Sequence, residues 1–156
     1  MVAETTKLFV PPAATPLRPR YKAERKVSTV AYVLVFLGAG LGGALRHGTN
    51  VLTARMWGLN FPFGTLTVNL VGSFAMAVLM ELFAARAGLP QSTRLFLTTG
   101  VLGGFTTFST FTLDAMGMIE RQEWLMAIFY LTLSVAGGIA AFIAGVALTR
   151  MLLGAQ

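Results

Sequence analysis

The chain has 156 residues, 55% of them hydrophobic and only 12% charged, with a formal net charge of +6. Soluble domains carry about 25% charged residues, so this composition excludes an ordinary soluble enzyme and points to a membrane protein. The lack of cysteine removes disulfides, thiolate metal sites and cysteine nucleophiles, and a single histidine, His47, excludes a His-rich metal site within one chain.

Residues 1–26 hold four of the six prolines (Pro11, Pro12, Pro16, Pro19) and six of the twelve basic residues (Lys7, Arg18, Arg20, Lys22, Arg25, Lys26). Such a segment buries too little apolar surface to offset ordering, and it reads as a disordered basic tail before a transmembrane domain over 27–156. Its charges favour a cytoplasmic N-terminus. A cleaved signal peptide does not fit, because the first apolar run is too long for an h-region and no A-x-A site follows it.

Four runs lack Asp, Glu, Lys, Arg and His: Val27 to Leu45, Met56 to Met80, Leu95 to Leu113 and Trp124 to Thr149. At about 1.5 Å of rise per residue, each is long enough to cross roughly 30 Å of hydrocarbon. The expected fold is therefore an all-α membrane protein with four transmembrane helices. With the tail set aside, Arg86, Arg94 and Arg150 fall on one side and Arg46, Arg55 and Arg121 on the other. A body with no net orientation preference suits an antiparallel, dual-topology dimer.

In the first run, Gly38, Gly40 and Gly43 match G-x-G-x-x-G. A dinucleotide-binding turn is rejected, since the run is long enough to span, no acid lies about 20 positions on, and no βαβ unit follows. The same residues place Gly38 with Gly42, and Gly40 with Ala44, at the spacing that lets transmembrane backbones approach closely, and Gly137, Ala141 and Gly145 repeat it in the fourth run. Arg46 and His47 close the first run, where Arg46 would complement a helix dipole, snorkel, or draw anions to a pore mouth.

The second run begins with Pro62 near its first helical turn and carries Thr65, Asn69 and Ser73 at i, i+4 and i+8, a polar stripe on an apolar rod. A mid-membrane Asn is costly unless it faces protein or water, so Asn69 is either interhelical glue or part of a pore. The third run reads GGFTTFSTF over 103–111. Tandem Gly103 and Gly104 before Thr106 and Thr107 predict a broken helix, tolerated in a membrane only where the freed backbone meets protein, water or an ion. Unwound carbonyls suit a hard cation and half-helix N-termini an anion. Phe108 and Phe111 share a face beyond the break beside Ser109, Thr110 and Thr112, and the positive rim of a phenyl ring can face an anion. In the fourth run Tyr130 and Ser134 share a face. Glu81 and Asp114 lie near span ends and read as interfacial, structural residues.

The stretches GGALRH, PFGTLTVNLVGS and TTGVLGGFTTFSTF, with Tyr130 and Ser134, resemble the Fluc (CrcB) fluoride channels over residues 30–150. The resemblance implies a passive, fluoride-selective channel in the inner cell membrane that protects against fluoride. It implies an antiparallel homodimer with two pores and a third helix broken at mid-membrane. It assigns Asn69, Phe108, Phe111, Ser109, Thr110, Tyr130 and Ser134 to the fluoride path, Arg46 to the vestibule, and the carbonyls of Gly103 and Thr106 to a structural sodium ion on the twofold axis. The expected partners are fluoride, the lipid bilayer and an antiparallel second copy or close paralogue, with no nucleic acid. Two departures stand out: Gly138 replaces a serine that some relatives carry one turn beyond Ser134, and the basic tail is an addition that conflicts with unbiased insertion. The rival is a proton-coupled exporter of the small-multidrug-resistance type, which needs a central carboxylate that the first run lacks. Neither Ser109 nor Ser134 has a convincing base partner for catalysis, and no ATP motif is present.

Overall fold

The computed structural model describes residues 28–86 and 88–154; the basic tail expected over 1–26 lies outside them. The regular elements among the described residues are all helices, without strands. Helix α1 (Thr29–Trp57), α2 (Phe63–Ala85) and α6 (Trp124–Gly154) are each long and apolar enough to cross a membrane. The remaining crossing is built in pieces: α3 (Gln91–Leu95), a wider π-helical stretch (Phe96–Leu102), α4 (Gly103–Phe105) and, after an interruption, α5 (Ser109–Glu120).

Helix α1 corrects one expectation. It does not close at Arg46 and His47 but runs on to Trp57, so its 29 residues measure about 43 Å. Arg46 therefore lies inside a helix, and dipole complementation at a helix end does not describe it. The polar residues after Leu45 continue the helix, with Thr49 and Thr53 hydroxyls bonded to carbonyls one turn back, at 3.0 and 2.9 Å. Gly58, at φ 79°, then turns the chain, and Pro62 precedes the first residue of α2 as expected.

The small residues divide by face. A Cβ on Gly38 would lie 2.8 Å from Gly100 Cα and from the Phe96 carbonyl oxygen, and one on Gly42 would strike the Val101 carbonyl. Those two glycines seat α1 directly on the interrupted crossing. Gly40 and Gly43 have no heavy atom within 4 Å of such a Cβ among the described residues. In α6, a Cβ on Gly145 would lie 2.7 Å from the Phe74 carbonyl oxygen, so α2 and α6 pack backbone to backbone.

The buried centre joins Leu66 of α2, Phe111, Ala115 and Met118 of α5, and Ala127 and Tyr130 of α6. Charges gather at the two ends. At one, Arg150 pairs with Glu81 at 2.8 Å and the Arg94 guanidinium lies 5.0 Å from the Phe83 ring centroid while donating to the Phe83 carbonyl. At the other, Arg121 pairs with Glu123 at 3.0 Å. Arg94 and Arg150 thus lie at one end and Arg121 at the other, as the charge count sorted them, whereas Arg46 sits within the α1 span.

Candidate functional site

The interruption falls later than tandem glycines predict. Gly103 and Gly104 are helical, and the backbone turns extended at Thr106 (φ −80°, ψ 161°). Gly104 is needed for contact, since a Cβ there would collide with the Ala39 carbonyl of α1. The break itself is enforced from α2. Thr107 N–H, which an unbroken helix would give to the Gly103 carbonyl, donates to Asn69 Oδ1 at 2.9 Å. Asn69 Nδ2 donates back to the Thr107 carbonyl at 2.9 Å. The Asn69 amide thus replaces a peptide group at the break and meets the rule that freed backbone in a membrane must find a partner. Its second N–H has no acceptor among the described residues.

The carbonyl of Thr106 is met from the opposite side. Arg46 Nη1, on α1, donates to it at 3.4 Å. The restart of the helix is capped locally: Thr107 Oγ1 accepts from the Thr110 N–H at 3.2 Å, donates to Thr110 Oγ1 at 3.1 Å and lies 3.4 Å from Ser109 Oγ. The sequence marks Thr107 only as part of the break; its backbone and hydroxyl hold both sides of it.

Beyond the break the rings form a series. Phe108 and Phe111 have centroids 5.6 Å apart, and Phe111 and Tyr130 5.4 Å apart. Their exposures differ sharply: Phe108 is 78% exposed, Phe111 9% and Tyr130 0%. Tyr130 donates its hydroxyl to Asp114 Oδ2 at 3.3 Å. Asp114, read from the sequence as interfacial, therefore contacts the expected track. The available signal was its spacing, three residues after Phe111 on the same helix. Ser134 Oγ is buried with no hydrogen-bond partner among the described residues.

Two recesses flank this series. An open groove of about 450 Å³ is lined by Asn69, Gly72, Ser73, Met76, Gly103, Thr106, Thr107 and Phe108. A smaller one, about 230 Å³, lies under the α1–α2 turn and carries Asn50, Thr53, Thr65, Thr110 and Asp114. The structure thus gathers Asn69, Gly103, Thr106 and Phe108 at one recess, with Arg46 against it through Thr106. Phe111 and Tyr130 lead towards the other, which Thr110 and Asp114 line.

Comparison with known proteins bears directly on this arrangement. Residues 33–146 match the family model described as "CrcB-like protein, Camphor Resistance (CrcB)". The chain belongs to the CrcB family. It is 57% identical over 118 residues to a protein of Methylobacterium sp. strain 4-46 named fluoride-specific ion channel FluC, covering 76% of this chain and 94% of that relative. Proteins of the same name from Granulibacter bethesdensis and Agrobacterium fabrum are 50% identical over 125 residues and 49% identical over 119. Those alignments cover 80% and 76% of this chain and 98% and 95% of the relatives. The CrcB match spans all four crossings, including the interrupted one.

Proposed function

We propose that this CrcB-family chain is a fluoride-specific ion channel of the inner membrane, passive and non-enzymatic, which exports fluoride and so protects the cell. Hydrogen fluoride crosses a bilayer as a neutral molecule and dissociates inside, so a leak for the anion lets the negative membrane potential expel it. Fluoride is small and strongly hydrated. A selective path must offer successive close donors, each weak enough to release the ion. The second Asn69 N–H, the rims of Phe108 and Phe111, the hydroxyls of Ser109, Thr110, Tyr130 and Ser134, and the Arg46 charge behind the Thr106 carbonyl supply such a series.

The observation that carries the finer reading is the exposure of Phe108. A ring meant to face an ion in a dry path lies 78% exposed on a single chain, beside the exposed Gly103. A second chain is needed to enclose it, and an antiparallel copy fits the even charge count of the membrane body. That pairing also suits a sodium ion at the twofold axis. The Gly103 carbonyl is released from helical bonding and the Thr106 carbonyl is turned out of the helix, both at one groove. Carbonyl oxygens are the ligands a hard monovalent cation prefers. When bound, the cation would supply positive charge and tie the two breaks together.

The test is electrical. In liposomes holding only this protein and a fluoride gradient, efflux should begin only when valinomycin lets potassium balance the charge. Efflux without valinomycin, driven by a proton gradient, would favour the coupled exporter.

A further inference from the structure

The polar stripe of α2 is used unevenly. Thr65 lines the recess at Asp114 and Asn69 clamps the break, whereas the Ser73 hydroxyl donates to the Asn69 carbonyl one turn back at 2.7 Å. This is the usual back-bond of a helical serine to a carbonyl that the helix already engages, so the hydroxyl can leave it at small cost. Ser73 lines the same groove as Asn69, Thr107 and Phe108.

On its other side Ser73 meets α6. A Cβ on Gly138 would have one heavy atom within 4 Å among the described residues, Ser73 Oγ at 3.6 Å, an ordinary contact with room for a side chain. The hydroxyls of α6 recur at Tyr130 and Ser134, and the next position on that face is Gly138, which has none. Ser134 Oγ, one turn away, is buried with no hydrogen-bond partner among the described residues.

We propose that Ser73 supplies from α2 the hydroxyl that α6 lacks at Gly138, and that fluoride passes a ladder made by two helices, Ser134 on α6 and Ser73 on α2, beside the Asn69 amide. This rests on the fluoride-channel reading. Without Ser73, a step of about one helical turn, some 5.4 Å, would offer the ion no hydroxyl from either helix. With it, the Ser73 O–H swings from the Asn69 carbonyl to the ion and back as the ion moves on.

Fluoride efflux from liposomes is compared for the wild-type chain, Ser73→Ala, Gly138→Ser and the double variant, with dimer elution and melting temperature followed in parallel. Ser73→Ala should slow efflux about tenfold, the scale of one hydrogen bond to a charged group, with melting little changed. Adding Gly138→Ser to Ser73→Ala should restore the rate to within about threefold of wild type, because the hydroxyl returns from the opposite helix. Should Ser73→Ala fail to assemble, Ser73→Cys keeps the side-chain volume, replaces the hydroxyl with a far weaker donor and serves in its place. Wild-type rates in a folded Ser73 variant would overturn the inference, as would a slowed, folded Ser73→Ala that Gly138→Ser does not rescue. A wild-type chain that passes no fluoride would instead defeat the channel reading itself, and this inference with it.

Discussion

The α2–α6 pair and the interrupted crossing solve the same problem in opposite ways. Helices α2 and α6 satisfy their backbone internally and meet through a small residue, Gly145 against the Phe74 carbonyl. The interrupted crossing gives up helical bonds at Thr107 and recovers them from side chains of α2, through Asn69, while Arg46 of α1 supports the Thr106 carbonyl. The first arrangement provides a rigid wall. The second leaves oriented carbonyls, hydroxyls and ring edges at a groove, which is what an ion path requires. Polar atoms in this protein are concentrated where the helix stops being regular, and the regular helices are mostly there to hold that place.

Four sets of substitutions separate the two regions, ordered by expected effect. Replacing Phe108 or Phe111 with Ile keeps apolar bulk and removes the positive ring rim. Fluoride efflux should fall by roughly a hundredfold or more, the scale of about 3 kcal/mol, while the dimer still elutes intact. Wild-type efflux would make the rings core residues only. Asn69→Leu strands both the N–H and the carbonyl of Thr107 and should cost roughly 2–5 kcal/mol of stability, read as loss of the dimer peak or a marked fall in melting temperature. A variant as stable as wild type would show that the break does not depend on the clamp.

A milder contrast lies within α1. Gly42→Ala pushes a methyl into the Val101 carbonyl and should cost about 1–3 kcal/mol, whereas Gly40→Ala meets open space in the single chain. Comparable melting losses for both would place Gly40 against a second chain. The smallest effect concerns the exposed Arg121–Glu123 pair. The guanidinium beside Glu123 holds its carboxyl below the usual range. A depressed folded-state value contributes stability above the ordinary carboxylate range, and that contribution is lost as pH falls through the depressed value. Glu123→Gln should therefore lower the melting temperature slightly at neutral pH and not at all at strongly acidic pH. Equal losses at both would remove the ion pair from the account.

Much of this was legible in the sequence, and the exceptions share a cause. The four charge-free runs gave the crossings, and the i, i+4 spacing of Gly38 and Gly42 marked a packing face, because hydrophobicity and helical period are local properties. The break was expected across Gly103 to Thr107, and it falls at the threonine end of that stretch: Gly103 and Gly104 stay helical, and Gly104 proves to be a contact residue. The actual agent, Asn69, acts across 38 residues of chain. The end of α1 was misplaced for a related reason, since Arg46 and His47 look like an interfacial stop unless one knows that Thr106 lies opposite. Asp114 was set aside as interfacial, while its bond to Tyr130 depends on how α5 meets α6. Long-range polar pairing is the information that a single sequence conceals.

The tail adds a topological question that the described residues leave to charge counting. Residues 18–26 carry Arg18, Arg20, Lys22, Arg25 and Lys26 against Glu24, while the membrane body is even. Deleting residues 1–26 should shift a C-terminal reporter from a cytoplasmic excess towards signals on both sides. One unchanged orientation would assign that control to the loops.

The most direct measurement is anion efflux from liposomes containing only this protein, read with fluoride and chloride electrodes in the same preparation. Rapid fluoride release with chloride release no faster than from protein-free vesicles is the predicted result. Equal release of both anions, or of neither, would contradict the account.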